Sequence, residues 1–124
     1  MAKRILIVDD EADVRTYLEV LFKENGFETA VAVDGNVAMD KVKEFKPDLI
    51  TLDIIMPKET GQKFYRELCK DETFKNTPVI ICSGVTRYKE LFSRDYATMP
   101  KPKAFVEKPI DKEALLAQVK EALA

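Results

Sequence analysis

The stretch PDLITLDIIMP, residues 47–57, contains a short, mostly apolar run from Leu49 to Leu52 that ends on a carboxylate, Asp53. Runs of this length, rich in Ile, Leu and Val, are typical of strands that are buried on both faces of a parallel sheet. Similar runs occur elsewhere along the chain, at Ile5–Val8, Ala30–Val33, Val79–Cys82 and Ala104–Val106. The sequence therefore predicts five buried strands.

Segments with helical spacing separate these runs. After the first run, apolar residues recur at Val14, Leu18 and Leu21, which is the period of an amphipathic helix. The clearest helix is the last, where Asp111 is a suitable N-cap. This alternation predicts an α/β fold, a doubly wound five-stranded parallel sheet with helices on both faces, because each crossover must be right-handed. The flavodoxin-like (βα)5 order 2-1-3-4-5 makes strands one, three, four and five neighbours.

The segment 85–103 is the least regular part of the sequence. Residues 87–96 are compatible with a short helix, whereas Met99-Pro100-Lys101-Pro102 requires extended backbone before the fifth strand. A helix in this segment would be the fourth, and the C-terminal helix would be the fifth.

Length and composition narrow the function classes. The chain has 124 residues and a net charge of −2. This length predicts a single domain over residues 1–124 with no output domain. It contains no histidine, and this excludes Ser-His-Asp triads and histidine-based zinc sites. Interspersed charges argue against nucleic-acid binding, and short apolar runs argue against a membrane span. We expect a cytoplasmic protein whose two cysteines, Cys69 and Cys82, are buried reduced thiols.

Polar residues end four of the predicted strands. Asp9-Asp10 follow the first strand, Asp53 the third, Ser83 the fourth and Lys108 the fifth. The carboxyl ends of parallel strands share one edge of the sheet, so these side chains are expected to converge. Crowded carboxylates need a compensating cation, and an oxygen-only ligand set suits Mg²⁺. A carboxylate in such a site can also act as a nucleophile toward a phosphoryl group, whose oxygens the cation, lysine and hydroxyl would surround.

With these residues, the sequence resembles the response-regulator receiver domain of two-component signalling, in particular its single-domain chemotaxis form. The resemblance covers essentially the whole chain and rests on segments 5–10 and 47–57, Gly61, Ser83 and Lys108-Pro109. It implies a phosphoacceptor that takes a phosphoryl group onto Asp53 from the phosphohistidine of a sensor histidine kinase or histidine phosphotransfer protein. It also implies no enzyme activity beyond self-catalysed phosphotransfer and slow autodephosphorylation.

The resemblance further implies a Mg²⁺ site at the acidic residues. Asp10 and Asp53 would ligate the ion directly, and Asp9 would act through a metal-bound water. The backbone carbonyl of Ile55 would be a further ligand.

The other site residues receive their roles from the same resemblance. Lys108 would pair with one phosphoryl oxygen, Ser83 would hydrogen-bond another, and Phe105 occupies the aromatic switch position. The Lys108–Pro109 peptide bond would be cis. Phosphorylation would then change the surface formed by the fourth helix, fifth strand and fifth helix, which would bind an unknown downstream protein or a second copy of the chain.

The sequence departs from the family pattern before the fifth strand. Receiver domains usually carry a Gly-Ala-acidic-acidic-aromatic run there, whereas residues 94–105 read RDYATMPKPKAF. This region belongs to the family's usual output surface, so the sequence leaves the identity of the partner open.

Two alternative functions stay open at this point. A flavodoxin-like small-molecule binder needs a loop rich in Gly, Ser and Thr after the first strand, where this chain has Asp9-Asp10-Glu11. A scaffold that works without phosphorylation would usually lack an acidic or lysine position, and none is lost in this sequence.

Two apolar residues bear on the lifetime of the phosphorylated state. Ile55 lies two positions after Asp53, and Val85 lies two positions after Ser83. Receivers with fast self-dephosphorylation tend to have polar groups there that position water, so we expect slow hydrolysis of the acyl phosphate. The double change Ile55→Asn and Val85→Glu should accelerate dephosphorylation in a phosphate-release assay. An unchanged decay rate would contradict this expectation.

Overall fold

The computed structural model describes residues 2–54, 56, 58, 60–84 and 102–124. These residues form the strands β1 Arg4–Val8, β2 Glu28–Ala32, β3 Leu49–Leu52, β4 Val79–Gly84 and β5 Ala104–Lys108. They also form the helices α1 Ala12–Glu24, α2 Gly35–Phe45, α3 Thr60–Lys70 and α4 Lys112–Leu123. The helix expected within residues 87–96 lies outside the described residues, so the C-terminal helix is labelled α4.

All five strands are parallel and lie in the order β2-β1-β3-β4-β5, which confirms the expected doubly wound fold. The ends of the strands are in register, because Val8 pairs with both Ala32 and Leu52, and Leu52 pairs with Ile81. Residues that directly follow β1 and β3 are therefore neighbours at the carboxyl edge of the sheet.

Four of the five observed strands differ from the apolar runs. Strand β1 begins one residue earlier, at Arg4, and β4 continues to Gly84, so Ser83 lies within the strand that it was expected to follow. The second run was expected to include Val33, but β2 pairs with β1 from Glu28 to Ala32 and leaves Val33 half exposed. Strand β5 continues past its apolar run to Lys108, which pairs with Gly84 of β4. Backbone pairing sets the ends of these strands, and this pairing extends over polar residues that an apolar run does not include.

Two apolar cores cover the two faces of the sheet. Leu6 and Val8 point toward α2 and α3, whereas Ile5 and Ile7 point toward α1 and α4. Successive side chains of a strand point to opposite faces, which explains why the run from Ile5 to Val8 is apolar throughout. Each fully buried Leu or Ile contributes about 1.5–3 kcal/mol to folding.

Aspartate side chains cap two of the helices. Asp111 accepts a hydrogen bond from the Glu113 amide at the start of α4, as expected from the sequence, and Asp34 accepts from the amides of Asn36 and Val37 at the start of α2. Such caps typically stabilise a helix by about 1 kcal/mol. Among the described residues, no helix has both the length and the apolar character needed to span a bilayer.

Two glycines allow helices to approach other backbone closely. A Cβ atom on Gly35, at the start of α2, would lie 1.8 Å from the carbonyl oxygen of Thr60. A Cβ atom on Gly61 would lie 2.7 Å from the carbonyl oxygens of both Asp53 and Ile54. The start of α3 is thus packed between α2 and the chain that follows β3.

The two cysteines differ in burial. Cys82 on β4 is buried, and burial raises its pKa to about 12. Cys69 on α3 is only half-buried, so the expectation of two buried thiols is wrong for this residue. Cys69 lies near the end of α3, and its side chain packs at the margin of the core between the sheet and the helices α2 and α3.

Candidate functional site

An acidic site lies at the carboxyl edge of the sheet, where Asp9 follows β1, Asp53 follows β3 and Lys108 ends β5. The Nζ atom of Lys108 lies 2.9 Å from Oδ2 of Asp9 and 3.1 Å from Oδ2 of Asp53. It also lies 3.1 Å from Oε1 of Glu11. Through these contacts, Lys108 on the edge strand β5 is linked to Asp9 and Asp53, which follow the central strands β1 and β3.

The backbone holds both buried carboxylates in place. The amide of Asp53 donates to the carbonyl oxygen of Val8 at 2.9 Å, and the amide of Asp9 donates to that of Ala32 at 3.2 Å. Each aspartate therefore extends the ladder of its strand by one residue. Asp9 and Asp53 are 1% and 4% exposed, respectively, so their side chains are held below the surface of the site.

Four carboxylates share this small volume. Oxygen atoms of Asp9, Asp10, Glu11 and Asp53 all lie within 4.8 Å of one another. Among the residues that the structure describes, the ammonium of Lys108 pairs with three of them, so the four carboxylates outnumber this cation. A donor set made only of carboxylate oxygens fits a hard divalent cation such as Mg²⁺ and disfavours soft metals.

Burial and charge act in opposite directions on the ionisable groups. Burial raises the pKa of Asp9 above its ordinary value, although the Glu11 amide and Lys108 lower it. Burial lowers the pKa of Lys108, but the hydrogen bond from Lys108 to Asp9 and the charge of Asp53 outweigh it and raise the pKa overall. The 2.9 Å contact between Lys108 and Asp9 has the length of a charge-assisted hydrogen bond.

The fourth strand adds a hydroxyl to the site. Ser83 is fully buried on β4, and its Oγ donates to Oδ1 of Asp53 at 3.4 Å. This long contact is weaker than the 3.1 Å hydrogen bond from Lys108 to the same carboxylate. The two oxygens of Asp53 therefore face a hydroxyl on one side and an ammonium on the other.

The remaining expected residues are placed less directly at the site. Phe105 lies on β5, paired with Ile81, and is partly buried against the α2 and α3 core. The Lys108–Pro109 peptide bond is cis, as the resemblance implied. Ile55, expected to supply a carbonyl ligand, lies outside the described residues.

Sequence reasoning missed two contacts of the site. Glu11 pairs with Lys108, and Nη1 of Arg15 donates to the carbonyl oxygen of Asp9 at 2.8 Å. The signal for Glu11 was the third acid of the run Asp9-Asp10-Glu11. The signal for Arg15 was its position one turn into the helix that begins directly after these acids. Glu11 lies in the segment that connects β1 with α1, and Arg15 lies near the start of α1.

This fold and site define a class of signalling domain, a doubly wound sheet with an acidic group and a lysine at its carboxyl edge. The chain belongs to the response regulator receiver domain family, whose family model matches residues 5–120. It is therefore a receiver domain of the kind found in two-component response regulators. This membership favours the receiver interpretation over a flavodoxin-like small-molecule binder.

Named relatives support the same assignment. Chemotaxis protein CheY of Bacillus subtilis is 34% identical over 124 residues, which cover 99% of each chain. The regulatory protein AtoC of Escherichia coli is 38% identical over 120 residues, which cover 97% of this chain and 25% of AtoC. A crystal structure of the response regulator protein TrrA of Thermotoga maritima, in complex with Mg(2+)-BeF, has a TM-score of 0.83 and 31% identity, and the match covers 98% of this chain and 99% of TrrA. The chain thus spans the whole of some relatives and a small part of others.

Proposed function

We propose that this receiver is the phosphoacceptor of a two-component phosphorelay and that Asp53 is its phosphorylation site. The donor would be the phosphohistidine of a sensor histidine kinase or histidine phosphotransfer protein. The observation that carries the proposal is the contact of Lys108 with both Asp9 and Asp53, since it joins an ammonium to a buried carboxylate beside an acidic group.

The acidic group is the proposed Mg²⁺ site. Asp10 and Asp53 would hold the ion directly, Asp9 would act through water, and the carbonyl of Ile55 would be a further ligand. The support is the shared volume of the carboxylates, whose crowding favours a divalent cation. When bound, the ion would supply positive charge to the oxygens of an incoming phosphoryl group.

Asp53 is the proposed nucleophile. One of its carboxylate oxygens would form a bond to phosphorus while the phosphorus–nitrogen bond of the donor breaks. The electron pair of that bond leaves with the imidazole nitrogen of the partner, which takes up a proton. Lys108 would bind a phosphoryl oxygen, because its ammonium already lies at hydrogen-bond distance from Asp53. Most of the catalysis would be positioning and neutralisation of charge.

The output of the switch is proposed to pass through β4 and β5. Phosphorylation adds about −1.5 to −2 of charge, and Ser83 would move to hydrogen-bond a new phosphoryl oxygen. Phe105 would then rotate inward and alter the surface around β5 and α4 that meets the downstream protein. Its proximity to the core residues beside β4 supports this role. The protein would act as a switch, with slow self-dephosphorylation as its own hydrolytic activity.

Phosphorylation by a small donor tests the proposal without a known kinase. The protein is incubated with acetyl phosphate and MgCl₂, and the intact mass is measured. We expect the mass gain of one phosphoryl group, located on Asp53 by peptide mapping and lost when EDTA is present. Incorporation at another residue, or equal incorporation without a divalent cation, would refute the assignment. A protein that never becomes labelled would instead support a scaffold role.

A further inference from the structure

The ion pair between Glu11 and Lys108 has no part in the function proposed above. The amide of Glu11 donates to Oδ1 of Asp9 at 2.9 Å, which fixes the backbone of this residue beside the site. Its side chain extends from there, and Oε1 reaches Nζ of Lys108 at 3.1 Å. The Glu11 side chain is 60% exposed, whereas those of Asp9 and Asp53 are 2% and 5% exposed.

These contacts use the whole donor capacity of the lysine. An ammonium group has three N–H donors, and Lys108 contacts the carboxylates of Asp9, Glu11 and Asp53. A phosphoryl oxygen that binds Lys108 must therefore replace one of these three partners. Asp9 is buried, and Asp53 stays in place as the residue to which the phosphoryl group would be attached. The exposed carboxylate of Glu11, on a long side chain, is therefore the partner that can move away.

We infer that Glu11 is a positioning residue that holds Lys108 in the unphosphorylated site and is exchanged for a phosphoryl oxygen, so that it opposes phosphorylation. The inference rests on the proposed function of Asp53. Glu11 opposes phosphorylation in two ways. Its carboxylate competes for the ammonium, and its negative charge repels an incoming anion. In contrast, Glu11 should favour the binding of a divalent cation, because a nearby carboxylate attracts the ion.

The role of Glu11 can be measured because it should affect the affinities for a phosphoryl mimic and for Mg²⁺ in opposite directions. Glu11→Gln keeps the size and backbone of the residue and removes its charge. With MgCl₂ at saturation, we expect the variant to bind beryllofluoride, a phosphoryl mimic, about threefold more tightly, which is the scale of an exposed ion pair. Its affinity for Mg²⁺ alone should stay equal or fall. Isothermal titration calorimetry measures both affinities, and thermal unfolding checks that the variant is folded.

Asp13→Asn is the matched control. Asp13 is an exposed acid in the first turn of the same helix, it lines the same surface cavity as Glu11 and Lys108, and it is absent from the ion pairs of that lysine. We expect beryllofluoride affinity to change less in this variant than in Glu11→Gln. Equal tightening by the two variants would overturn the inference, because a general change of field would then explain the result.

Lys108→Ala tests whether Glu11 acts through the lysine. The gain in beryllofluoride affinity from Glu11→Gln should be smaller when Lys108 is absent, because only the charge repulsion by Glu11 then remains. Persistence of the full gain would overturn the inference. If the unmodified protein binds beryllofluoride and Glu11→Gln binds it no more tightly, the inference alone fails. If the unmodified protein binds no beryllofluoride with Mg²⁺ present, the proposed function fails with it.

Discussion

Asp53→Asn is expected to abolish phosphorylation by acetyl phosphate and Mg²⁺, with no mass gain under conditions that label the unmodified protein. A carboxamide has no anionic oxygen to attack phosphorus. Asp53 is also the buried acid whose two oxygens meet Lys108 and Ser83, so no neighbouring carboxylate has the same surroundings. Intact mass spectrometry gives the result directly.

The variant is expected to stay folded, which separates loss of chemistry from loss of structure. Asn has nearly the same shape as Asp, and Lys108 retains its contacts with Asp9 and Glu11. Removing one negative charge from a crowded acidic group offsets part of the lost ion pair. We expect the free energy of unfolding to change by about 1 kcal/mol or less.

Asp40→Asn is a suitable control for this experiment. Asp40 is an exposed acid on α2 and lies outside the acidic site. Its variant should be labelled at Asp53 like the unmodified protein. Labelling of Asp53→Asn to the same extent as this control would place the phosphorylation site elsewhere.

Gly35→Ala is expected to destabilise the fold by about 3 kcal/mol, the upper end of the usual range for overpacking. The added methyl group would lie 1.8 Å from the carbonyl oxygen of Thr60 and 2.4 Å from its carbonyl carbon. These are backbone atoms, so no side-chain rotation relieves the overlap, and α2 must move away from α3. Helix propensity alone predicts the opposite sign, since Ala is favoured over Gly by about 1 kcal/mol in a helix.

Urea unfolding of the unmodified protein and of Gly35→Ala measures this change in the free energy of unfolding. Gly84→Ala is the control, because none of the described residues has an atom within 4 Å of a Cβ atom on Gly84. Its free energy of unfolding should change by about 0.5 kcal/mol or less. If Gly35→Ala is as stable as this control, the prediction is wrong, because α2 and α3 can then move apart at little cost in free energy.

The sequence allowed much of the fold to be predicted because both faces of the sheet are covered. The apolar runs at Ile5–Val8 and Leu49–Leu52 could be read as strands, and the polar residues Asp9, Asp53 and Lys108 marked the edge where they end. The limits of β2 could not be predicted, because they depend on its pairing with β1. Helix starts were predictable where a capping aspartate precedes them, as Asp111 does.

Contacts of the site that depend on side-chain reach were not predictable. Glu11 and Lys108 are 97 positions apart in sequence, and their contact needs both the strand order and the side-chain directions. Arg15 bonds to a backbone carbonyl, which leaves no complementary residue in the sequence to suggest the contact. The half-buried position of Cys69 likewise follows from the packing of α3, and the sequence around it does not reveal it.

The distance along the chain between Lys108 and its partners has a consequence for folding. Lys108 lies 99 residues after Asp9 and 55 after Asp53. During synthesis, the two buried acids emerge well before the ammonium that neutralises them, and burying an unpaired carboxylate is costly. The final strand therefore contributes the counter-charge as well as an edge to the sheet. Since parallel pairings between distant segments form slowly, complete assembly of the charged edge should be a late event that coincides with the arrival of the last strand.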